Sequence, residues 1–579
     1  MKKQTLILAL CLQGAVLAGN AQLVKKATTE KKTEDWYNLS FEKDGVYGIG
    51  VNQAYEFLKG KPLKKKPIVA VIGFGMDAAH EDLKNASWTN PNEKEDGIDN
   101  DGNGYIDDIH GWNFLGNAKG EMIEKTNQEG DREYFRLRGL YEGIFFNGTD
   151  YIKFNELSQK LIKVPAPKDL KEYTFFRYRL NKESRLAQEA ASIHSSRIVK
   201  YMIVNEIEPA MKKINPDLTK IKQADVSKFD VKTDGKVDTL KLMSRFFFLM
   251  TFGVNNSYAA KNHTDSMNFV QARDLTLNPK RQPNEAFERL LAETIDARKI
   301  TGDDWTNISD KNYGNNKLYS NGSFSGTMVS GIIAADRSNG IGVNGIMPEA
   351  QLMSLRAYPK EGEPYYKDIA LAIRYAVDQK ADVIQLGMSN TIYPAYEVKW
   401  VNDALLYAEE KGVLVVSSVW NLSDNLSEKK YYPNSNVNGK VLNNFITVAA
   451  SDKEGLPLKD ANFSPKELDL FAPGQNISTT YMGGTYRMGA SPLFAAANVT
   501  GTAALIKAYY PEITAAQLRK LIVGNVTDRA NVEVEKQVKT GGKLKTDLYL
   551  FSQLCVSGGI LNAYKAVVAA DQLSKTNGK

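Results

Sequence analysis

Five short runs of this chain are apolar almost without interruption: PIVAVIGFG from Pro67, AQLMSLRAY from Ala350, DVIQLGM from Asp382, VLVVSSV from Val413 and NFITVAAS from Asn444. A strand with one wet face alternates apolar and polar residues. These runs do not alternate, so both of their faces are buried, which calls for a parallel sheet covered by helices on both sides. The segments between them read as those helices. KDIALAIRYAVDQ sets Ile369, Ile373, Ala376 and Val377 on one face. VNDALLYAEEKG ends in a glycine stop, FAAANVTGTAALIKAYY is full of small residues and suits a central buried helix, and TAAQLRKLIVGN and GGILNAYKAVVAADQL close the chain. The expected fold class is α/β, a doubly wound parallel sheet.

The first residues, MKKQTLILALCLQGAVLAGNAQ, have a basic start, an apolar stretch from Leu6 to Leu17 and small residues up to Ala21. That is the pattern of a secretory signal peptide spanning 1–21, and the stretch is short for a membrane span. Cys11 offers an alternative reading as a lipidation site, although Leu10 before it is bulky. Removal of 1–21 leaves Cys555 as the one cysteine, so no intrachain disulfide is expected. The expected location is outside the cytoplasm, in the periplasm or at the cell surface, with no transmembrane segment. Residues 22–60 read as a leader, 61–117 and 301–579 as the two parts of the α/β domain, and 118–300 as a mostly helical insertion rich in Lys, Glu, Arg and aromatics. The cluster Phe246–Met250 inside it is either core or a docking face. A net charge of +6 is too slight to argue for nucleic acid.

Four segments in order carry a resemblance: VAVIGFGMDAAHEDL, SFSGTMVSGIIAA, VVSSVWN and SPLFAAANVTGTAALI, with GWNFLGN, LFAPG and SGGILNAYKAV between and after them. Together they resemble the subtilases, the subtilisin-like serine endopeptidases, whose motifs are Asp-Ser/Thr-Gly, His-Gly-Thr-His, Ala-Ala-Gly-Asn and Gly-Thr-Ser-Met-Ala-Ala-Pro. The resemblance implies a subtilisin-like fold and a cleft that takes peptide.

Acyl transfer in that frame needs a hydroxyl to attack, an imidazole to take its proton and a carboxylate to orient the imidazole. The matching positions hold Leu493, Ser325 and Gly73. Leucine has no nucleophile, serine is no base near neutral pH, and glycine has no side chain. Asn421 matches the oxyanion asparagine and is either a donor without a reaction to serve or a turn residue. Gly387, Met388 and Ser389 match the substrate-edge strand. Four histidines are available, His80, His110, His194 and His263; the first two fall in segments with structural roles in the family and the others in the insertion. Ser491 stands two positions before the nucleophile site and is expected to point away from the cleft.

DGIDNDGNGYIDDIHGW fits the start of a calcium loop, with Asp99, Asp101, Asn103, the Tyr105 carbonyl and Asp107 as ligands and Gly104 at the turn. His110 stands where an EF-hand has Glu, and a solvated acidic turn is the other reading. The sequence thus predicts a secreted, catalytically inactive subtilase homologue that binds peptide or protein, with structural Ca²⁺ as the candidate cofactor. The alternatives are an active serine endopeptidase with a rearranged site and a structural protein of the cell envelope.

Overall fold

The computed structural model describes residues 23–24, 35–261, 266–278, 283–387 and 394–577. The signal-peptide reading, Cys11, His263, Met388 and Ser389 lie outside them. The chain divides into two compact units: residues 1–126 with 296–579, and Asn127–Ile295.

The first unit is built on a sheet whose strands in chain order begin with Ile68–Gly73 (β1), Gly111–Asn113 (β2), Gln351–Arg356 (β3) and Val383–Leu386 (β4). Leu414–Ser418 (β5), Phe445–Ser451 (β6) and Leu470–Pro473 (β7) follow. Their spatial order is β7-β6-β5-β4-β1-β3-β2, every pair parallel. Successive residues feed opposite layers: Val69 and Val71 join one buried cluster, Ala70 and Ile72 the other. This is the physical meaning of the unbroken apolar runs.

Val51–Leu58 (α1) and Phe324–Ala334 (α2) lie on the first face, and Tyr366–Asp378 (α3) and Ala395–Glu410 (α4) cover the second. Pro492–Tyr509 (α5), Ala515–Gly524 (α6) and Ala563–Asn577 (α7) complete the first face. Along α5 almost every residue is buried, as its run of Ala, Gly, Thr and Val anticipates. Residues 35–58, within the stretch read as a leader, supply Tyr37, Ile49, Val51, Ala54 and Leu58 to the same core.

Hairpins add to the first unit. Ile477–Tyr481 (β8) pairs with Thr485–Gly489 (β9). After Thr527–Asp528 (β10), Glu533–Thr540 (β11) pairs with Lys543–Leu550 (β12), and Gly559–Ile560 (β13) then joins the edge of the main sheet. The turn between β11 and β12 is Gly541-Gly542, both with positive φ, the hairpin-favouring geometry that glycine adopts without strain.

Lys536 on β11 is fully buried. Its Nζ donates to the carbonyls of Lys459 (2.7 Å) and Leu458 (3.4 Å) and lies 5.6 Å from the Phe463 ring centroid. Burial pushes the amine down to about 8, against a weaker pull from Asp460. Between pH 8 and the ordinary lysine value the unfolded chain therefore binds more protons than the folded one. Stability contributed by this group rises with pH across that window. Urea midpoints of Lys536→Met are expected to lose this slope, and an unchanged slope would refute the assignment.

The second unit contains the helices Glu129–Tyr141, Arg185–Met202 and Thr239–Lys261. It also has a three-stranded antiparallel sheet, Ile144–Phe146, Tyr151–Asn155 and Lys160–Val164. The Phe246–Met250 cluster is split: Phe248 is buried, while Phe246, Phe247 and Met250 are exposed. Among the described residues no helix is long and apolar enough to cross a membrane.

Candidate active site

The site lies where β1, α2 and α5 meet. β1 ends at Gly73, whose carbonyl accepts the N–H groups of Ala357 and Tyr358, both at 3.0 Å. The chain then turns through Gly75. Ser323 stands at the N-cap position of α2 and donates its hydroxyl to the Phe74 carbonyl at 3.0 Å. This places Ser325 in the first turn of α2. Gly326 packs so tightly on the turn after β1 that a Cβ there would overlap the Gly75 carbonyl oxygen. The Asp77 N–H donates to Thr327 Oγ1 (3.0 Å), and the Asp77 carboxylate accepts the Gly483 N–H (2.9 Å). Thr479 and Thr480 on β8 donate to the Met328 and Thr327 carbonyls, each at 2.7 Å. The start of α2 is thereby fixed from two sides.

Ser491 caps α5 and accepts the Leu493 N–H at 3.2 Å, with Pro492 in the first helical turn. Its oxygen is committed to the helix end. Leu493 is buried in the same apolar cluster as Met328 and Phe494.

The three positions that the motif resemblance assigns to the triad have different surroundings. A Cβ on Gly73 would meet nothing within 4 Å, so the carboxylate position is open space. The Ser325 hydroxyl is buried without a hydrogen-bond partner. Leu493 is 4% exposed within its apolar cluster. Gly387 closes β4: its carbonyl accepts Ser417 Oγ (3.3 Å), and a Cβ there would overlap the Tyr358 ring. Tyr358 stands 5.5 Å from Phe74, and burial pushes its phenol well up.

Asn421 follows β5, and its Oδ1 is buried without a partner. The turn after it is held instead by Asn462, whose Oδ1 accepts the N–H groups of Leu422 and Asp424, both at 3.0 Å. Nothing in the local sequence marks Asn462, since it comes from 40 residues downstream.

The described histidines are engaged elsewhere. His80 is buried with both ring nitrogens used, Nε2 on the Thr485 carbonyl (2.9 Å) and Nδ1 accepting the Asp82 N–H (3.1 Å). His110 Nδ1 donates to the Trp88 carbonyl at 2.6 Å. His194 pairs with Glu142 at 3.0 Å in the second unit.

In the loop expected to take calcium, side chains bind the loop's own backbone. Asp99 accepts the N–H groups of Gly102, Asn103 and Gly104, and Asp107 those of Asp96 and Gly97. Both carboxylates serve the loop's own backbone. Asn103 Oδ1 accepts the Tyr105 N–H, and its amide donates to Asp108 at 2.9 Å. The Tyr105 ring packs on Trp112, Phe114 and Tyr375. The carboxylates that converge are Glu93, Asp101 and Asp108, with ligand atoms all within 4.8 Å of one another. Only Asp101 was in the expected set. Glu93 is buried and its Oε2 has no partner, and burial pushes the Asp108 carboxyl up despite hydrogen bonds from Tyr375, Asn103 and Asn90. Three hard oxygen donors with an orphaned carboxylate oxygen fit a divalent cation such as Ca²⁺.

Residues 64–541 match the family model described as the subtilase family. The chain is 34% identical over 209 residues to the major intracellular serine protease of Bacillus subtilis (strain 168), covering 36% of this chain and 62% of that protein. It is 28% identical over 216 residues to the minor extracellular protease Epr of the same organism, covering 37% and 31%. The chain thus matches less than two thirds of either relative's length. A solved mutant of the protease domain of PatA aligns at 20% identity and a TM-score of 0.35, over 44% of this chain and 84% of that one. By the extent of the family match, this chain belongs to the subtilase family.

Proposed function

We propose that this chain is a secreted subtilase that binds a peptide or protein segment in its cleft without cutting it. One observation carries the reading: the positions that would hold carboxylate, imidazole and hydroxyl hold Gly73, Ser325 and Leu493. Supporting it, the two described histidines of this unit are tied to backbone groups, and His80 has neither a free lone pair nor a free proton to exchange. A serine hydroxyl gains nucleophilicity at neutral pH from a base beside it, and the bonds of His80 and His110 run to backbone groups rather than to a serine. Asn421, whose Oδ1 has no acceptor role in its turn, is left to donate its amide to a bound carbonyl.

An activated fluorophosphonate tests this. The chain from residue 22 onward is expected to take up no label under conditions that label an active subtilisin stoichiometrically. Stoichiometric labelling that competes with peptide would instead establish a rearranged serine endopeptidase.

Structural calcium is part of the proposal, with Glu93, Asp101 and Asp108 as the residues that would hold it. Bound Ca²⁺ would tie the loop to α3, because Asp108 accepts the Tyr375 hydroxyl at 2.6 Å. At free Ca²⁺ a hundredfold above Kd, binding adds about 2.7 kcal/mol. Chelation is expected to lower the melting temperature, and Glu93→Gln with Asp108→Asn to abolish that response. A melting temperature indifferent to chelator would exclude the ion.

A further inference from the structure

The helix Thr239–Lys261 of the second unit is apolar on both sides. Inward, Leu240, Phe248 and Phe252 are buried, and Phe248 meets Phe252 and Phe269 at ring-centroid distances of 5.3 and 5.2 Å. Outward, Leu242 is 40% exposed, Phe246 57%, Phe247 46%, Met250 47% and Val254 65%. Residues four apart lie above one another on a helix, so 242, 246, 250 and 254 form one stripe, with Phe247 beside it. A helix that is apolar all round is ordinarily buried all round, and an exposed apolar stripe of this kind marks a protein or membrane contact.

Charge selects the occupant. The helix carries Lys241, Arg245 and Lys261 and no acidic residue. Residues 127–295 contain 28 Lys and Arg against 22 Asp and Glu, so the chain's whole net charge of +6 resides there. Arg245 rests on the carbonyls of Ser227 (3.2 Å) and Phe229 (2.9 Å) and meets no carboxylate among the described residues. Lys241 has Glu206 at 3.6 Å. A second copy presenting the same face would set cations against cations, which disfavours a dimer through it.

We propose that this face docks the protein on an anionic lipid surface. Phe246, Phe247 and Met250 enter the boundary between headgroups and acyl chains, and Lys241 and Arg245 lie level with the phosphates. The proposal is independent of whether the cleft cuts or only binds.

Co-sedimentation of the chain from residue 22 onward with vesicles tests it. Phosphatidylcholine vesicles containing phosphatidylglycerol are expected to retain the protein, and pure phosphatidylcholine vesicles are not. Retention should weaken at 1 M salt, where the screening length falls to about 3 Å. Phe246→Ser with Met250→Ser is expected to lower the bound fraction about tenfold. Should that variant lose its far-ultraviolet dichroism, Phe246→Trp supplies a second readout, a blue shift of its emission when phosphatidylglycerol vesicles are added. No retention on anionic vesicles, retention indifferent to lipid charge or to the double variant, or no blue shift overturns the proposal. Saturable binding of an acidic peptide through these residues, with no vesicle binding, would assign the face to a protein.

Discussion

Asp368→Leu is expected to lower the stability of the subtilase unit by about 3–5 kcal/mol. Asp368 sits in a buried network of two cations and two anions. Arg298 Nη2 meets Asp368 Oδ1 at 2.8 Å and Arg298 Nη1 meets Asp303 Oδ1 at 3.4 Å. Lys367 Nζ meets Asp303 Oδ2 at 2.6 Å and the Asp304 carbonyl at 2.8 Å. Tyr313 donates to Asp368 Oδ1 at 2.5 Å, and the Arg298 guanidinium lies 3.9 Å from the Tyr365 ring centroid. Burial works against the Arg298 charge, yet the carboxylates of Asp368 and Asp303 together with Tyr313 drive its pKa up. The guanidinium therefore stays protonated at any working pH. Removing Asp368 leaves that cation buried beside one carboxylate shared with Lys367. Desolvation then goes uncompensated, which costs more than the lost attraction itself. The double variant Asp303→Leu with Lys367→Met removes one charge of each sign and should cost less than Asp303→Leu alone. Urea unfolding measures all three. A loss below about 1 kcal/mol for Asp368→Leu would show water reaching the cluster. Arg298 and Asp303 lie just after residue 295, where the chain returns from the second unit, and the network ties them to Lys367 and Asp368 on α3.

The second large effect concerns catalysis. Gly73→Asp, Ser325→His and Leu493→Ser together are expected to restore only trace turnover. In subtilisin, loss of the nucleophile or the imidazole costs about 2 × 10⁶ in kcat, and geometry here stands against recovering it. At 73 a Cβ would meet nothing within 4 Å, so the root of an aspartate side chain is accommodated. A serine fits at 493 but leaves a void beside Met328 and Phe494, which share its cluster. The imidazole is the obstacle. Ser325 is 1% exposed, and Gly326 beside it is already pressed on the Gly75 carbonyl. A ring at 325 overpacks this turn, at a cost of about 1–3 kcal/mol, and displaces its own nitrogen from the hydroxyl. A misplacement near 1 Å costs about 10² in rate. Single-turnover labelling by fluorophosphonate should therefore be slow and incomplete in the triple variant. Full-rate labelling would mean that the cleft has kept its catalytic geometry.

What the sequence made legible followed from burial. The runs around Ile72, Leu355, Val416 and Val448 were readable as strands because both faces are apolar, and α5 was readable because only small residues allow such close packing. The hairpins were missed because their strands are short or half exposed, although Gly541-Gly542 was a usable turn signal. The pattern Asp99, Asp101, Asn103, Gly104 marked an acidic loop, and Asp101 of that pattern converges with Glu93 and Asp108, which lie outside it. The short spacing lets Asp99 and Asp107 reach backbone N–H groups, and the inward carboxylates come from Glu93 and Asp108 on either side. Asn462 could not be read at all, since its role at the Asn421 turn depends on tertiary contact. Phe246 to Met250 was read as one cluster, but five consecutive helical residues necessarily span both the inner and the outer face.

The central claim is binding without cleavage, and intact-mass analysis of retained peptides tests it most directly. The immobilised chain from residue 22 onward is incubated with a defined peptide mixture, washed and eluted, and both eluate and flow-through are weighed. Saturable retention of full-length peptides, with no fragments in either fraction, is the predicted result. Fragments that accumulate with time, or no saturable retention at all, would contradict it.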